Sequence, residues 1–352
     1  MPGLSRGVLW PRASGKSYVS SIWGIEHMAD FSLLNAMFPI ETSNKKACNT
    51  IKKSKQYLDS EETRLRNLHP SLGPSNLFED RVGNFRETIE MRVCRQARMA
   101  YVNALLKINN LLAVQTALDN ARDVLRLSRK DEMGVCYMIV GLFLRLGRDQ
   151  DCYDFIKWWE AKAPNFDWDD ASLPYLDMKG EDAFEHYGGL NDLDGIRDTC
   201  VIPFTVAIVL IKIRLLFNLR DLQKVSIIRG KLPQELLDQV RDKCLCDAIT
   251  RNPRRKEISE GKGLTRLIRD LKSSIHDFVT GVGEVNEDNP SFWAAMLNKA
   301  GFQLNAEECS VDISQMAPVH QYSYESWSET PGALEVIHMD KEDPSAFLDV
   351  ER

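Results

Sequence analysis

Four aromatic side chains lie within seven residues of one another, Tyr153, Phe155, Trp158 and Trp159, and such a concentration suits recognition better than bond making. Adjacent residues on a helix point apart, so a single core-facing stripe takes up one or two of the four. Trp158 is then either a core residue packed on the acidic stretch that follows, or an aromatic anchor for a partner helix. A second set, Asn109, Asn110, Tyr137 and Arg145, has side chains that hydrogen-bond an extended peptide, and a guanidinium such as that of Arg145 pairs a carboxylate. Ordinary exposed polar residues remain the plainer reading of that set.

Residue patterns that would point to catalysis fail on context. GLSRG at residues 3–7 matches the nucleophile elbow, but only two residues precede it, and the elbow needs a strand there. SGKS at residues 14–17 has Trp10 where a phosphate-cradling loop needs its first glycine. NDLDG at residues 191–195, set in the register of a calcium loop, puts Leu190 and Val201 at the two anchoring carboxylate positions. The six histidines (27, 69, 186, 276, 320 and 338) are scattered, and Cys244 and Cys246 stand one residue apart, too close for a usual zinc-chelating pair. Catalytic residues, cofactor and bound metal are therefore not expected.

The elements that must position these side chains read as helices. Met91, Cys94, Ala97, Tyr101, Ala104, Leu105 and Ile108 recur at three- and four-residue intervals between Glu87 and Ile108. Val114, Ala117, Leu118, Ala121, Val124 and Leu125 repeat the pattern after Asn110, ahead of the polar break SRKDE. A third helix is expected from about Met133 to Leu146, stopped by Gly147, and a fourth from Gln150 to Lys162, ended by Pro164. Loops this short make successive helices antiparallel neighbours. Further helices are expected over Pro203–Leu222 (with Pro203 in the first turn), Pro233–Cys246, Gly263–Val282, Pro290–Lys299 and Ile313–Ser328, with shorter ones near His27–Met37 and over Thr50–Arg66.

The chain thus divides into an irregular N-terminal region (1–80), a tetratricopeptide-like helical region (81–164) and an acidic loop (165–200). A C-terminal helical region packed on the first (201–336) and a frayed tail (337–352) complete it. The repeat reading rests on a period near 34 residues between VLRLSRKD and KAPNF, with Gly147 between paired helices and Pro164 closing the unit. The expected fold class is all-α, with antiparallel helix pairs forming an array or solenoid.

The strings LRLSRKDEMGV, LRLGRDQDCYDFIKWW, NPSFWAAML and YESWSETPGALEVI resemble those of a family of largely uncharacterised fungal proteins, many of which carry a MYND-type zinc finger. The similarity spans about residues 95–336 and is most specific at Gly147–Trp159 and Trp327–Gly332. It implies a helical, repeat-like body and supplies no activity. The finger's cysteine-rich pattern is missing from this chain.

A formal charge of −6 provides no overall basic field for nucleic acid, and RNPRRKE at residues 251–257 reads as a solvated loop. The apolar stretch Val201–Leu219 is interrupted by Lys212 and Arg214, so it reads as a buried helix rather than a membrane span. Eight scattered cysteines suit a reducing compartment, the cytoplasm or nucleus, and the first 25 residues read as a disordered arm more readily than as a transit peptide. The expected function is a non-catalytic scaffold that binds another protein or peptide. The alternative is an enzyme or enzyme subunit whose site is assembled from separated helices.

Overall fold

The computed structural model describes residues 42–67, 77–85, 88–108, 110–187, 198–227, 245–284, 291–297 and 313–349, with four isolated positions between 233 and 239. The expectations for the N-terminal arm, the helix near His27–Met37, Asn109, the NDLDG segment and most of Pro233–Cys246 lie outside these residues. Packing divides the chain into Met1–Lys53 and Ser54–Arg352. The first unit is described only as the opening turns of helix α1, Thr42–Arg66, which begins eight residues before the expected Thr50. All that follows concerns the second unit, which is all-α, without a strand among the described residues.

Local chemistry sets the helix boundaries. After the short α2 (Leu77–Asp80), α3 (Ile89–Leu105) starts where the Thr88 hydroxyl accepts from the Met91 amide at 3.3 Å. The Asn110 side chain does the same for α4 (Leu111–Leu127), accepting from Ala113 N at 2.8 Å. The start of α5 (Val135–Arg145) is capped from further back: Asp131 adopts a left-handed backbone, φ 47°, and its carboxylate accepts from Val135 N at 2.7 Å and Cys136 N at 3.0 Å. Gly147, φ 66°, ends α5 with paired bonds from Arg148 N to Phe143 O (3.0 Å) and from Gly147 N to Leu144 O (3.1 Å), the arrangement that satisfies a helix's last carbonyls. Helix α6 (Asp149–Ala161) follows at once, and Pro164 sits in the 3₁₀ turn Ala163–Asn165 that closes it.

Helices α3 to α6 pack each on the next, as their short connections require, and every apolar position expected to face inward on α3 and α4 is buried. The remaining elements are α7 (Asp198–Ile227), α8 (Asp247–Thr250), α9 (Arg255–Ser259), α10 (Leu264–Glu284), α11 (Ser291–Leu297), α12 (Ile313–Ser328), α13 (Ala333–Glu342) and α14 (Pro344–Leu348). Helix α7 packs against α5, α6, α10 and α12. Its segment Val201–Val225 is long and apolar enough to cross a membrane, but most of it is buried inside the protein, as a core helix is. Pro203 stands one turn inside α7 rather than in its first turn, because the helix starts upstream at Asp198. The residues expected to fray from 337 onward instead continue α13 and form α14, held by Phe347, which is buried against the Lys272 ammonium.

Candidate functional site

Each described residue expected to face a partner is engaged within the chain. Asn110 is spent as the cap of α4. Tyr137 is half-buried and lies against the turn that opens α5, where a side chain on Gly134 would come within 2.9 Å of its ring. Arg145 does pair a carboxylate, but an internal one: its Nε and Nη2 donate to the two oxygens of Glu329 at 3.2 Å and 2.9 Å. Glu329 follows the end of α12, which lies along α5 where an extended peptide was expected. The two helices approach so closely that a Cβ on Gly141 would fall 2.3 Å from the Tyr322 carbonyl oxygen. The polar groove residues therefore serve an internal helix contact.

Trp158, expected either as a core residue packed on the acidic stretch or as an anchor for a partner helix, takes the first role: it is fully buried, and Tyr153, Phe155 and Trp159 are buried with it. The expectation that one or two of the four could be core fails because α6 is walled on its second side by the non-helical acidic segment. Trp158 meets the rings of Phe166 and Tyr175 edge-on at 5.1 Å and 4.8 Å, and its Nε1 donates to Asp177 at 3.2 Å. Trp168 stacks on Trp159 at 5.8 Å. Two charged side chains fasten the segment's backbone. Arg129 donates to the carbonyls of Asp170, Ala171 and Leu173 at 2.9–3.3 Å, and Asp154 accepts from the Gly180 and Glu181 amides, both at 2.9 Å.

Two polar centres on α6 and α7 were not legible as sites. At the start of α6, Arg214 donates to Asp149 at 2.6 Å, to the Leu144 carbonyl at 2.8 Å and to the Thr330 hydroxyl at 2.7 Å, so one guanidinium from α7 ties together the end of α5, the start of α6 and the turn after α12. Beside it Asp247 accepts from the Gln150 amide at 3.1 Å. Burial pushes the Asp149 carboxyl upward, and burial together with the neighbouring Asp149 charge raises Asp247 to about 6.

The second centre lies two turns along. The Lys212 Nζ, on a side chain only 1% exposed, donates to the Glu185 carbonyl at 2.6 Å and lies 5.4 Å from the centre of the Tyr187 ring. Burial lowers its pKa to about 8. Lys157 bridges Glu160 at 2.9 Å and Glu185 at 3.1 Å, while the Tyr153 and Tyr187 hydroxyls donate to Glu185 (2.9 Å) and Glu160 (3.1 Å). An amine close to neutrality beside two phenols has the elements of general-base or nucleophilic chemistry. In this structure its proton is spent on holding a loop. The only sequence signal was that Lys212 and Arg214 interrupt an otherwise apolar run.

The described histidines are dispersed: His186 bonds Ser274 at 3.0 Å, His276 bonds the buried Asp340 at 2.9 Å, His338 pairs with Glu342 and His320 stacks on Tyr324. Arg251 and Arg254 of the basic stretch bond Asp151 and Asp182. Among the described residues no group of three or more histidines, cysteines or carboxylates is arranged to hold a metal ion, and Cys48, Cys94, Cys136, Cys152 and Cys246 are not joined in disulfides. Comparison with protein-family models, with curated protein sequences and with solved structures finds no match to this chain.

Proposed function

We propose that the chain is a non-catalytic helical scaffold that binds another protein through exposed apolar residues of its repeat-like region, acting in the cytoplasm or nucleus. The observation that carries this reading is the pair Leu111 and Leu112, 69% and 45% exposed at the first turn of α4, in a body whose described polar and aromatic candidates are engaged internally. Consecutive exposed leucines cost solubility and suit a surface that another protein covers. The five described cysteines, unbridged, fit a reducing compartment. The resemblance to the fungal family adds a tetratricopeptide-like helical body and no activity.

The test is capture of binding partners by the full chain and by a Leu111→Asp, Leu112→Asp variant, with thermal unfolding as the control for folding. Loss of partners from a variant that unfolds at the same temperature supports the reading. Recovery of the same partners by both proteins, or of none by either, counts against it.

One observation favours the enzyme reading, the depressed lysine Lys212 beside Tyr187, whose hydroxyl meets that of Tyr153, the three coming from α7, the acidic loop and α6. Rapid stoichiometric modification of Lys212 by an amine reagent in the folded protein at neutral pH would support it. Protection of that amine relative to surface lysines opposes it.

A further inference from the structure

The segment Gly180–Tyr187 has no helix of its own and is fastened at three places. Asp154 accepts from its first two amides, and the Gln150 side chain donates to the Glu181 carbonyl at 2.9 Å. Asp182 in its middle accepts from Asn252 and Arg254, both at 3.0 Å. At its far end Glu185 and Tyr187 close over Lys212, and the Ser274 hydroxyl of α10 accepts from the Tyr187 amide at 3.3 Å. The cover is a single irregular segment over a buried ammonium whose bonded acceptor is a neutral carbonyl.

We propose that Gly180–Tyr187 is a proton-linked latch: it closes over the Lys212 amine, and each opening hydrates that amine and takes up a proton, so the latch tightens as the solution goes from neutral to alkaline. The groups acting on Lys212 are Asp182, Glu185 and Tyr187 on the latch and Lys157 on α6, with Tyr153 and Glu160 of α6 bonded to the Tyr187 hydroxyl. From α10 come the uncharged Ser274 and Phe278, with His186 of the latch turned to Ser274. Burial pushes both tyrosines well above their ordinary range, so Lys212 is the member of the cluster that titrates first above neutrality. Its value is about 8 when covered and 10.5 when free in water. Between these limits the open form holds more protons, so raising the pH favours closure; below the lower limit both forms are protonated and the dependence flattens.

Trace acylation of the full chain with acetic anhydride, read residue by residue by mass spectrometry, tests this. The labelling of Lys212 relative to Lys224, a lysine 76% exposed on the same helix, reports the fraction of open latch. That ratio is expected to fall on the order of tens-fold between about pH 7 and about pH 10, and a constant or rising ratio overturns the proposal. Asp154→Ala removes the acceptor for the latch's first amides, and is expected to raise Lys212 labelling several-fold while leaving that of Lys272, buried under α14, unchanged. An equal rise at both lysines would show that Lys212 is reached by global unfolding and would overturn the latch.

Discussion

Helices α5 and α6 are sequence neighbours and both are mostly buried, yet the protein covers them by different means. The outer face of α5 receives another helix, α12, with Gly141 allowing backbone contact and an ion pair at the edge between a nearly covered Arg145 and a partly exposed Glu329. The outer face of α6 receives an irregular segment with no internal helix hydrogen bonds to satisfy its amides and carbonyls. Those groups must be met from α6 and its surroundings, and the charged side chains Arg129, Asp154 and Lys212 meet them. Covering a helix with a helix needs shape. Covering it with a loop needs buried charge, and buried charge brings a pH dependence with it.

The sharpest way to break this comparison is to remove the aromatic floor of the loop side. Trp158→Ala is expected to destabilise the protein by about 3–5 kcal/mol in denaturant unfolding, as truncation of a fully buried tryptophan does. A cost below that of the helix-side substitution Gly141→Ala would show that the aromatic packing under the loop holds the fold less than the helix contact does.

The pH dependence comes next. Lys212 has a folded-state pKa of about 8 against 10.5 unfolded, so it penalises folding wherever it is charged in both states. The penalty is fully present below about 8 and is relieved as pH rises toward 10.5, by at most about 3 kcal/mol. Stability measured across that window should rise in the parent protein relative to Lys212→Met; parallel curves would remove Lys212 as the cause.

On the helix side, Gly141→Ala places a methyl group against the Tyr322 carbonyl, and is expected to cost about 1–3 kcal/mol as α12 shifts outward. Hydrogen exchange should show faster exchange in α12 than in α4. The smallest effect belongs to the ion pair at the edge: a double-mutant cycle on Arg145→Ala and Glu329→Ala should give a coupling under about 1 kcal/mol, since Glu329 is partly in solvent. A coupling of several kcal/mol would mean that charge organises the helix side as well.

Helices α3 to α6 were legible because their determinants are local. Apolar residues three and four apart, Asn110 before α4 and Gly147 after α5 act within a turn or two of themselves, and α12 runs over the expected Ile313–Ser328. Arg145 was read with the right chemistry, a guanidinium seeking a carboxylate, and the wrong partner. The carboxylate it finds is 184 residues away in the same chain. Trp158 takes the first of its two expected roles, a core residue packed on the acidic stretch; what the spacing did not announce is that this stretch would bury all four aromatics, because an amphipathic stripe predicts a single buried face. Asp131 was read as part of a polar break, although it caps α5 from a left-handed turn.

The sequence by itself determined that the described body is built of helices, where most of them start and stop, and which residues of α3 and α4 face inward. These follow from hydrogen bonds and side-chain periodicities that close within about four residues. Only the tertiary structure decided what covers each helix, and with it that Asn110, Tyr137, Arg145 and Trp158 serve the protein's own packing. Those contacts join segments distant in the chain, where packing and desolvation rather than local propensity set the partner.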